Sequence, residues 1–203
     1  MSLYFVKYLC FNLTLLDSSA DAIEVAKSLF NKYNCGAEFV TQDALRTAFP
    51  DESFGAIISI GLAEHYSDNV TDLFKEQYRL LKKGGVVISL NIPKKFSMQF
   101  LNTAMRFIKN FFGLYKESVS KDYYRNSFKP EEYKKFAEAV GFKGIEIVNV
   151  CPFPIYTPIK LSTDKFITKI NKIILFFRRL FMKYPYKTNY LMSQAHFLVG
   201  YKK

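Results

Sequence analysis

Cysteine, histidine and long apolar runs are scarce in this chain, and each shortage excludes a class of protein. The three cysteines, Cys10, Cys35 and Cys151, are odd in number and widely spaced, which argues against a disulfide framework. Because only two histidines accompany them, the sequence predicts no metal site either, and we expect a reducing, cytoplasmic location. No run of about 18 uncharged apolar residues occurs, so no membrane-spanning helix is expected.

What the sequence does contain is enough apolar material for one globular domain. It has 203 residues, of which 49% are hydrophobic, so a sizeable core can form. The net charge of +11 is unevenly spread: residues 1–93 contain 8 basic and 11 acidic residues, whereas residues 94–203 contain 21 and 7. The basic half therefore faces an anionic partner, or keeps the chain soluble, or reflects an A/T-rich genome.

One stretch, residues 12–27, changes from strand to helix across a single acidic residue. Residues 13–16 form a short apolar run that predicts a buried strand, and Asp17 ends it. We expect Ser18 to be the N-cap of the helix that follows. A carboxylate at the C-terminal edge of a parallel strand is where α/β folds bind the hydroxyls of a ribose, although many acids end strands for other reasons.

Strands and helices then alternate along the chain. Further strands are predicted at residues 37–41, 54–60, 86–92, 145–150 and 195–201. This alternation predicts an α/β fold with a doubly wound, mostly parallel sheet, and we expect the last strand to be antiparallel at its edge. Two insertions, at about 94–127 and 151–194, interrupt the alternation within a single domain, 1–203. They should form a lid, since they lie on the side where the strand ends open.

Five segments carry a family resemblance. In order they are TLLDSSADAIEVAK, FVTQDAL, PDESFGAIISIGLAEHY, RLLKKGGVVISLNIP and FKPEEYKKFAEAVGF. Their order and spacing over residues 13–150 resemble the successive motifs of class I S-adenosylmethionine-dependent methyltransferases of the small-molecule type. The resemblance implies a Rossmann-like enzyme that uses S-adenosyl-L-methionine. The Leu-Leu-Lys-Lys-Gly-Gly turn separates this family from nicotinamide-dependent Rossmann enzymes, which are the alternative.

The resemblance also implies roles for individual residues. The cofactor-binding residues that it assigns are Asp17, Ser18, Asp43, Ala44, Gly61 and Leu62. Asp17 would bind the ribose hydroxyls with Ser18 beside it, and Asp43 would bind the adenine amino group, next to a backbone contact from Ala44. Gly61 and Leu62 would flank the methionine part and the methyl group. For Asp43 the alternative is a turn cap, and for Gly61 a turn that leads into a helix.

Few catalytic side chains are needed for methyl transfer, because the enzyme chiefly aligns and desolvates the reactants. If the acceptor is a hydroxyl, His65, with Glu64 beside it, is the candidate base; the alternative is a packing or helix-start residue. His196, inside the last strand, is expected to be structural.

One part of the family pattern is missing. The family has a glycine-rich loop between its first strand and first helix, whereas residues 1–12 resemble the helix after that loop. We therefore expect a methyltransferase sheet that lacks its first strand, in a chain truncated before or within the glycine-rich motif, with impaired cofactor binding. The alternative is a non-catalytic remnant or binding module.

The lid segments bear on the acceptor. Residues 164–183 alternate basic and apolar residues at helical spacing, which is typical of a lid helix and equally of an interfacial helix on anionic lipid. The acceptor is therefore expected to be small or lipid-like, and in the membrane interpretation the protein is peripheral to the membrane. Nucleic acid is not an expected partner, because no recognition motif accompanies the positive charge.

Overall fold

The computed structural model describes residues 2–9, 11–66, 68–92, 128–152, 176 and 193–203. Its helices are α1 (Ser2–Leu9), α2 (Ala20–Lys32), α3 (Val70–Leu80) and α4 (Pro130–Val140). Its strands are β1 (Thr14–Asp17), β2 (Glu38–Thr41), β3 (Phe54–Ile60), β4 (Leu81–Asn91), β5 (Lys143–Pro152) and β6 (Ser193–Tyr201). A single 3-10 turn, Ala63–His65, follows β3.

The strands form two sheets. β1 and β2 pair in parallel, with Asp17 opposite Thr41 at their C-terminal ends. The other sheet has the order β3-β4-β6-β5, in which β3 and β4 are parallel and β6 is antiparallel to both of its neighbours. This mixed architecture confirms the predicted fold class. Among the described residues, no strand pairs with the second edge of β1 or of β3, which is where the predicted missing strand would lie.

The last strand is antiparallel, as expected, but its predicted position at the sheet edge is wrong. β6 lies between β4 and β5, and β5 is the edge strand. The reason is that β6 is buried on both faces: His196 and Leu198 on one side and Ala195 on the other are each less than 9% exposed. A strand covered on both faces belongs inside a sheet, where both edges also find partners.

The core of the molecule lies between the four-stranded sheet and helices α3 and α4. Its buried side chains include Leu73 and Phe74 from α3, Tyr133 and Ala137 from α4, and Val87 and Leu198 from the sheet. The sequence predicts that α4 begins at Pro130, a favourable first helical residue, and ends at Gly141, and both limits are confirmed: Pro130 is its first residue, and Gly141 ends it in the left-handed conformation at φ +118°. A Cβ on Gly141 would lie 3.3 Å from the Tyr78 ring, so this end is tightly packed.

Helix α2 begins one residue later than predicted. Its N-cap is Ser19, whose Oγ accepts a hydrogen bond from the Ala22 N–H at 3.3 Å, so the assignment of that role to Ser18 is wrong. The cause is Asp17, whose Oδ1 accepts a hydrogen bond from the Ser19 N–H at 2.8 Å. This Asx turn uses Ser18 as its middle residue and moves the helix start onto Ser19.

Several predictions fall on residues that the structure does not describe. The proposed lids at 94–127 and 151–194 lie outside the described residues, except that residues 151–152 end β5, Phe176 is described as helical and residues 193–194 begin β6. The amphipathic segment 164–183 lies outside them as well, apart from Phe176. None of the helices described is both long enough and apolar enough to cross a membrane.

Candidate functional site

The C-terminal ends of β1, β2 and β3 bring the candidate site residues together. Asp17 is the last residue of β1, Asp43 follows β2, and Gly61 follows β3. The backbone N–H of Gln42 donates to the carbonyl oxygen of Asp17 at 3.1 Å, so the ends of β1 and β2 are bonded to each other. The two candidate carboxylates therefore lie along one edge of the same strand pair.

Asp17 is exposed and has one oxygen available. Its Oδ1 accepts the N–H of Ser19 at 2.8 Å, and its Oδ2 accepts no hydrogen bond within the described part of the chain. Ser18 is exposed next to it. An exposed carboxylate held at the start of a helix, with a free oxygen, has the chemistry to accept hydrogen bonds from vicinal hydroxyls.

Asp43 is likewise exposed, and two donors share one of its oxygens. Oδ1 accepts the N–H of Leu45 at 2.9 Å and the hydroxyl of Tyr66 at 2.9 Å. Over the residues described, Oδ2 has no hydrogen-bond donor. The bond from the Leu45 N–H is a turn-capping bond, which was the alternative role expected for Asp43. Asp43 nevertheless keeps Oδ2 as an acceptor for another group.

Tyr66 joins the strand end at Asp43 to the turn after β3. Its pKa is raised to about 12, first by burial, then by the hydrogen bond to Asp43, and further by the negative charges of Asp43 and Asp17. The hydrogen bond places Tyr66 against Asp43, and Gln42, the residue before Asp43, is bonded to Asp17. We call these residues the Asp17, Asp43 and Tyr66 cluster. Sequence reasoning missed Tyr66, for which the only signal was its position beside His65 after a buried strand.

Gly61 opens the turn after β3 with a backbone that favours glycine. Its φ is +63°, and its N–H donates to the carbonyl oxygen of Leu90 at 2.9 Å. A Cβ there would lie 3.4 Å from Oε2 of Glu64. The side chains of Leu62 and Ala44 are half-buried and pack against the core, so only their backbones remain for a ligand.

His65 is exposed at the end of the 3-10 turn, and Glu64 points elsewhere. Glu64 is buried, and its Oε1 accepts the N–H of Ile92 beyond the end of β4. That oxygen is therefore bonded to the backbone just after β4 and not to His65. The role of His65 as a base stays a prediction. In the described ranges, no group of three or more His, Cys, Asp and Glu side chains is arranged to hold a metal ion.

A part-buried ion pair on α3 holds the chain just beyond Asp43. Oε1 of Glu76 accepts the N–H and the hydroxyl of Thr47 at 2.8 and 2.7 Å. Arg79 donates to Oε2 of Glu76 at 2.9 Å, to the carbonyl oxygen of Phe49 at 2.9 Å and to Asp51 at 2.6 Å. The hydrogen bond from Arg79 is the main cause that lowers the pKa of Glu76 to about 2. The connection between β2 and β3 is thus fixed onto α3.

Comparison with known proteins agrees with this geometry. Residues 1–89 match the family model described as a methyltransferase domain. A SAM-dependent methyltransferase from Archaeoglobus fulgidus has the same fold, with a TM-score of 0.59 and 17% identity over 98% of this chain and 80% of its own. The resemblance to class I S-adenosylmethionine-dependent methyltransferases is confirmed. The match over residues 1–89 and the shared fold both support the methyltransferase assignment and, with it, the predicted enzyme class and S-adenosyl-L-methionine as the cofactor.

Other methyltransferase neighbours widen the comparison. A possible histamine N-methyltransferase from Thermotoga maritima is 19% identical, with a TM-score of 0.59, over 100% of this chain and 78% of its own. Phosphoethanolamine N-methyltransferase 2 of Haemonchus contortus gives a TM-score of 0.63 at 16% identity, over 98% of this chain and 45% of its own. A polyketide synthase-nonribosomal peptide synthetase of Pyricularia grisea is 27% identical over 164 residues, which are 75% of this chain. The chain spans 4% of the length of that curated relative.

The residues present fit the family's cofactor. Asp17 and Asp43 each offer an exposed oxygen at neighbouring strand ends. Gly61 gives the backbone a turn with no side chain. An adenosine has hydroxyl and amine donors, and the two carboxylate oxygens can accept hydrogen bonds from them.

Proposed function

We propose that this chain binds S-adenosyl-L-methionine across the C-terminal ends of β1, β2 and β3 and transfers its methyl group to a small acceptor. The observation that carries the proposal is that Tyr66 donates to Asp43 and that Gln42, beside Asp43, donates to the carbonyl oxygen of Asp17, so the three groups share one edge. Three separate segments of the sequence supply these groups, and strand ends are the usual ligand sites of α/β sheets.

In this proposal each carboxylate binds one part of the adenosine. Asp17 accepts hydrogen bonds from the ribose hydroxyls through its free oxygen, with Ser18 beside it. Asp43 accepts the exocyclic amine of adenine through Oδ2, while the backbone of Ala44 contacts the ring. Gly61 and Leu62 face the methionine part through their backbones, because the Leu62 side chain is committed to the core.

The bound cofactor supplies an electrophilic methyl group. The residues of this chain then have to hold the acceptor in line and keep water out, which is the main contribution of enzymes to such displacements. For a hydroxyl acceptor, we propose that His65 takes up the proton, since it is exposed just beyond Gly61 and is therefore accessible from the site. For an amine acceptor no base is required at this position.

A small polar acceptor is favoured within this proposal. The neighbour from Haemonchus contortus is a phosphoethanolamine N-methyltransferase, and one of its structures contains phosphomonomethylethanolamine. A lipid-like acceptor, approached through a peripheral contact of residues 164–183 with anionic membrane, is the competing version. Methyl-transfer assays with phosphoethanolamine, and flotation with anionic and neutral vesicles at low salt, separate the two versions.

We further propose that cofactor affinity is impaired in residues 1–203. β1 and β3 each have an edge that pairs with no strand in the described residues, so the strand ends that would hold the cofactor belong to two sheets that are not hydrogen-bonded to each other. Calorimetry with S-adenosylhomocysteine should give weak binding, in the high micromolar range or above. Low micromolar affinity would contradict the impairment, and complete absence of binding would favour a non-catalytic remnant.

The role of Asp17 can be tested with Asp17→Asn. We expect the affinity for S-adenosylhomocysteine to fall about tenfold or more, because an amide accepts from the ribose hydroxyls less well than a carboxylate does. Asp21→Asn is the matched control, since Asp21 is an exposed acid in the first turn of α2, four residues away. If both variants lost the same affinity for S-adenosylhomocysteine, the proposal that Asp17 binds the ribose would be contradicted.

A further inference from the structure

We propose that Tyr66 is a positioning residue that makes the Asp43 carboxylate selective for a purine with an exocyclic amine. Its hydroxyl donates to Oδ1 of Asp43 at 2.9 Å, on the same oxygen that accepts the N–H of Leu45. The inference rests on the proposed role of Asp43 as the adenine-binding carboxylate. It adds a residue, Tyr66, that no motif of the sequence assigns to the site.

Two donors on one oxygen fix the rotation of a carboxylate. The terminal torsion of an aspartate is broad and nearly two-fold, so a single donor leaves the carboxylate free to turn. The N–H of Leu45 alone is such a donor, whereas the Tyr66 hydroxyl adds a second direction. Oδ2 is therefore held in one place as a pure acceptor, because an ionised carboxylate has no proton to donate.

Tyr66 is itself anchored, so its hydroxyl reaches Asp43 from a defined position. The Tyr66 ring is half-buried and packs against the hydrophobic core. Its backbone N–H donates to the carbonyl oxygen of Ala63 at 3.3 Å, and its carbonyl oxygen accepts from Asn69 at 3.2 Å. Tyr66 is thus held by its ring and by its backbone, and Asp43 lies on the loop after β2.

The hydroxyl remains a donor at every physiological pH. With its pKa raised to about 12, Tyr66 keeps its proton, and the carboxylates of Asp43 and Asp17 both favour the neutral phenol. A fixed acceptor at Oδ2 is complementary to the 6-amino group of adenine and repels the 6-oxo group of hypoxanthine. Selectivity then comes from repulsion of the wrong base as well as from attraction of the right one.

The test compares adenosine with inosine, which differ at position 6 of the purine. Binding of each nucleoside is measured by ligand-observed NMR or calorimetry on the wild-type chain, Tyr66→Phe and Tyr201→Phe. The phenylalanine keeps the ring that packs on the core, so the fold is expected to persist. Tyr201 is 43% exposed on β6, away from the strand ends of the site, and serves as the matched control.

We expect the wild-type chain and the control to prefer adenosine. In Tyr66→Phe the preference should fall by about three- to tenfold, through weaker adenosine binding, while inosine binding changes little. A merely structural role would weaken both nucleosides alike. An unchanged preference, or tighter adenosine binding in Tyr66→Phe, would overturn the inference, the latter because Tyr66 would then compete for the acceptor oxygen.

Asp43→Asn supplies a second, independent readout. It should reduce the preference for adenosine, because an amide can also donate to the 6-oxo group of inosine. Adding Tyr66→Phe to Asp43→Asn should then change the preference less than Tyr66→Phe does alone, since the two residues act together. Additive effects would contradict a positioning role.

These results are separable from the proposed function. Adenosine needs only the ends of β1 and β2, whereas S-adenosylhomocysteine and methyl transfer also need the methionine side of the site. If the chain prefers adenosine through Tyr66 but neither binds S-adenosylhomocysteine nor transfers methyl groups, the proposed function fails and the inference stands. A wild-type chain that does not prefer adenosine overturns the inference, whatever its methyltransferase activity.

Discussion

The strand pair β1 and β2, with helices α1 and α2, differs sharply in burial from the four-stranded sheet with α3 and α4. In the first region α1 buries no side chain, and α2 buries only Ile23 and Phe30. The second region contains the whole of the main core cluster, including Phe74 and Leu198. Because buried apolar area is the main source of stability, we infer that the four-stranded sheet stabilises the molecule. The proposed ligand-binding carboxylates lie mostly on the weaker region.

The two regions are joined by polar bonds at the site. Tyr66, next to the four-stranded sheet, donates to Asp43 of the weaker region, and Glu76 on α3 accepts from Thr47. Hydrogen bonds have directions and optimal lengths, whereas apolar contacts are less specific. The site therefore has a defined geometry at a place where packing contributes little. The comparison can be tested by weakening each region, and the bonds between them, in turn.

The largest expected effect is the loss of a core ring. Phe74→Ala removes a side chain that is 1% exposed and contacts Phe142, and should lower the free energy of unfolding by about 3–5 kcal/mol. Phe30→Ala removes an equally buried ring, 2% exposed, from α2, but should unfold the strand pair β1 and β2 first. Urea unfolding followed by hydrogen exchange distinguishes the two outcomes.

A single cooperative unit would contradict this expectation. In that case both regions would unfold together in Phe30→Ala and in Phe74→Ala, and the free energy of unfolding would depend on urea concentration with the same slope in the two variants. Val25→Ala is the control for both variants, since Val25 is 69% exposed on α2, and should change the unfolding free energy by less than about 0.5 kcal/mol.

The next effect comes from the part-buried Glu76–Arg79 ion pair that holds the connection between β2 and β3. Glu76→Gln should cost about 1.5–3 kcal/mol, because the bonds to Arg79 and Thr47 lose their charged acceptor. In the wild-type chain the depressed pKa of Glu76, from 4.5 to about 2, contributes stability above about pH 4.5 that is lost as the pH falls towards 2.

Thermal unfolding at a series of acidic pH values checks this predicted loss of stability. The wild-type chain should lose stability more steeply than Glu76→Gln as the pH falls from about 4.5 to 2, because only the wild-type chain has this carboxylate to protonate. Asp72→Asn is the control, since Asp72 is exposed on the same helix and pairs with Lys75 in water. Parallel curves for the wild-type chain and Glu76→Gln would show that other carboxylates cause the loss.

The smallest effect is expected at the turn after β3. Gly61→Ala should cost about 1–2 kcal/mol, since its φ of +63° is unfavourable for a residue with a Cβ. Gly36→Ala is the matched control: no atom lies within 4 Å of a Cβ there and its φ is not positive, so it should be neutral or slightly stabilising. If the two changes had equal effects on thermal unfolding, the conformation of Gly61 would not be strained by a Cβ.

Local signals in the sequence predicted most of the elements and three of the strand ends that carry the site. The bounds of β3, Phe54–Ile60, were predicted because a mostly apolar run lies between turn residues. The start and end of α4 were predicted from Pro130 and Gly141, whose backbone preferences are strong. Asp17, Asp43 and Gly61 were likewise placed correctly at their strand ends, although their roles remain predictions.

Contacts between distant residues were the part that the sequence did not predict. β6 lies inside the sheet because of its pairing with two strands, and no local pattern encodes a pairing partner. Tyr66 and Asp43 are 23 residues apart, and Glu76 and Thr47 are 29 apart. The shift of the N-cap from Ser18 to Ser19 depended on a competing bond from Asp17 that spacing alone does not reveal.

The edges of β1 and β3 that pair with no strand among the described residues have a consequence for how any ligand of this site would bind. A molecule that contacts Asp17, Asp43 and the Gly61 turn would be bonded to both sheets at once. Part of its binding free energy would then be spent on ordering the strand pair, and its measured affinity would fall by that amount. By linkage, the same ligand would protect the amides of β1 and β2 from hydrogen exchange more than those of the four-stranded sheet.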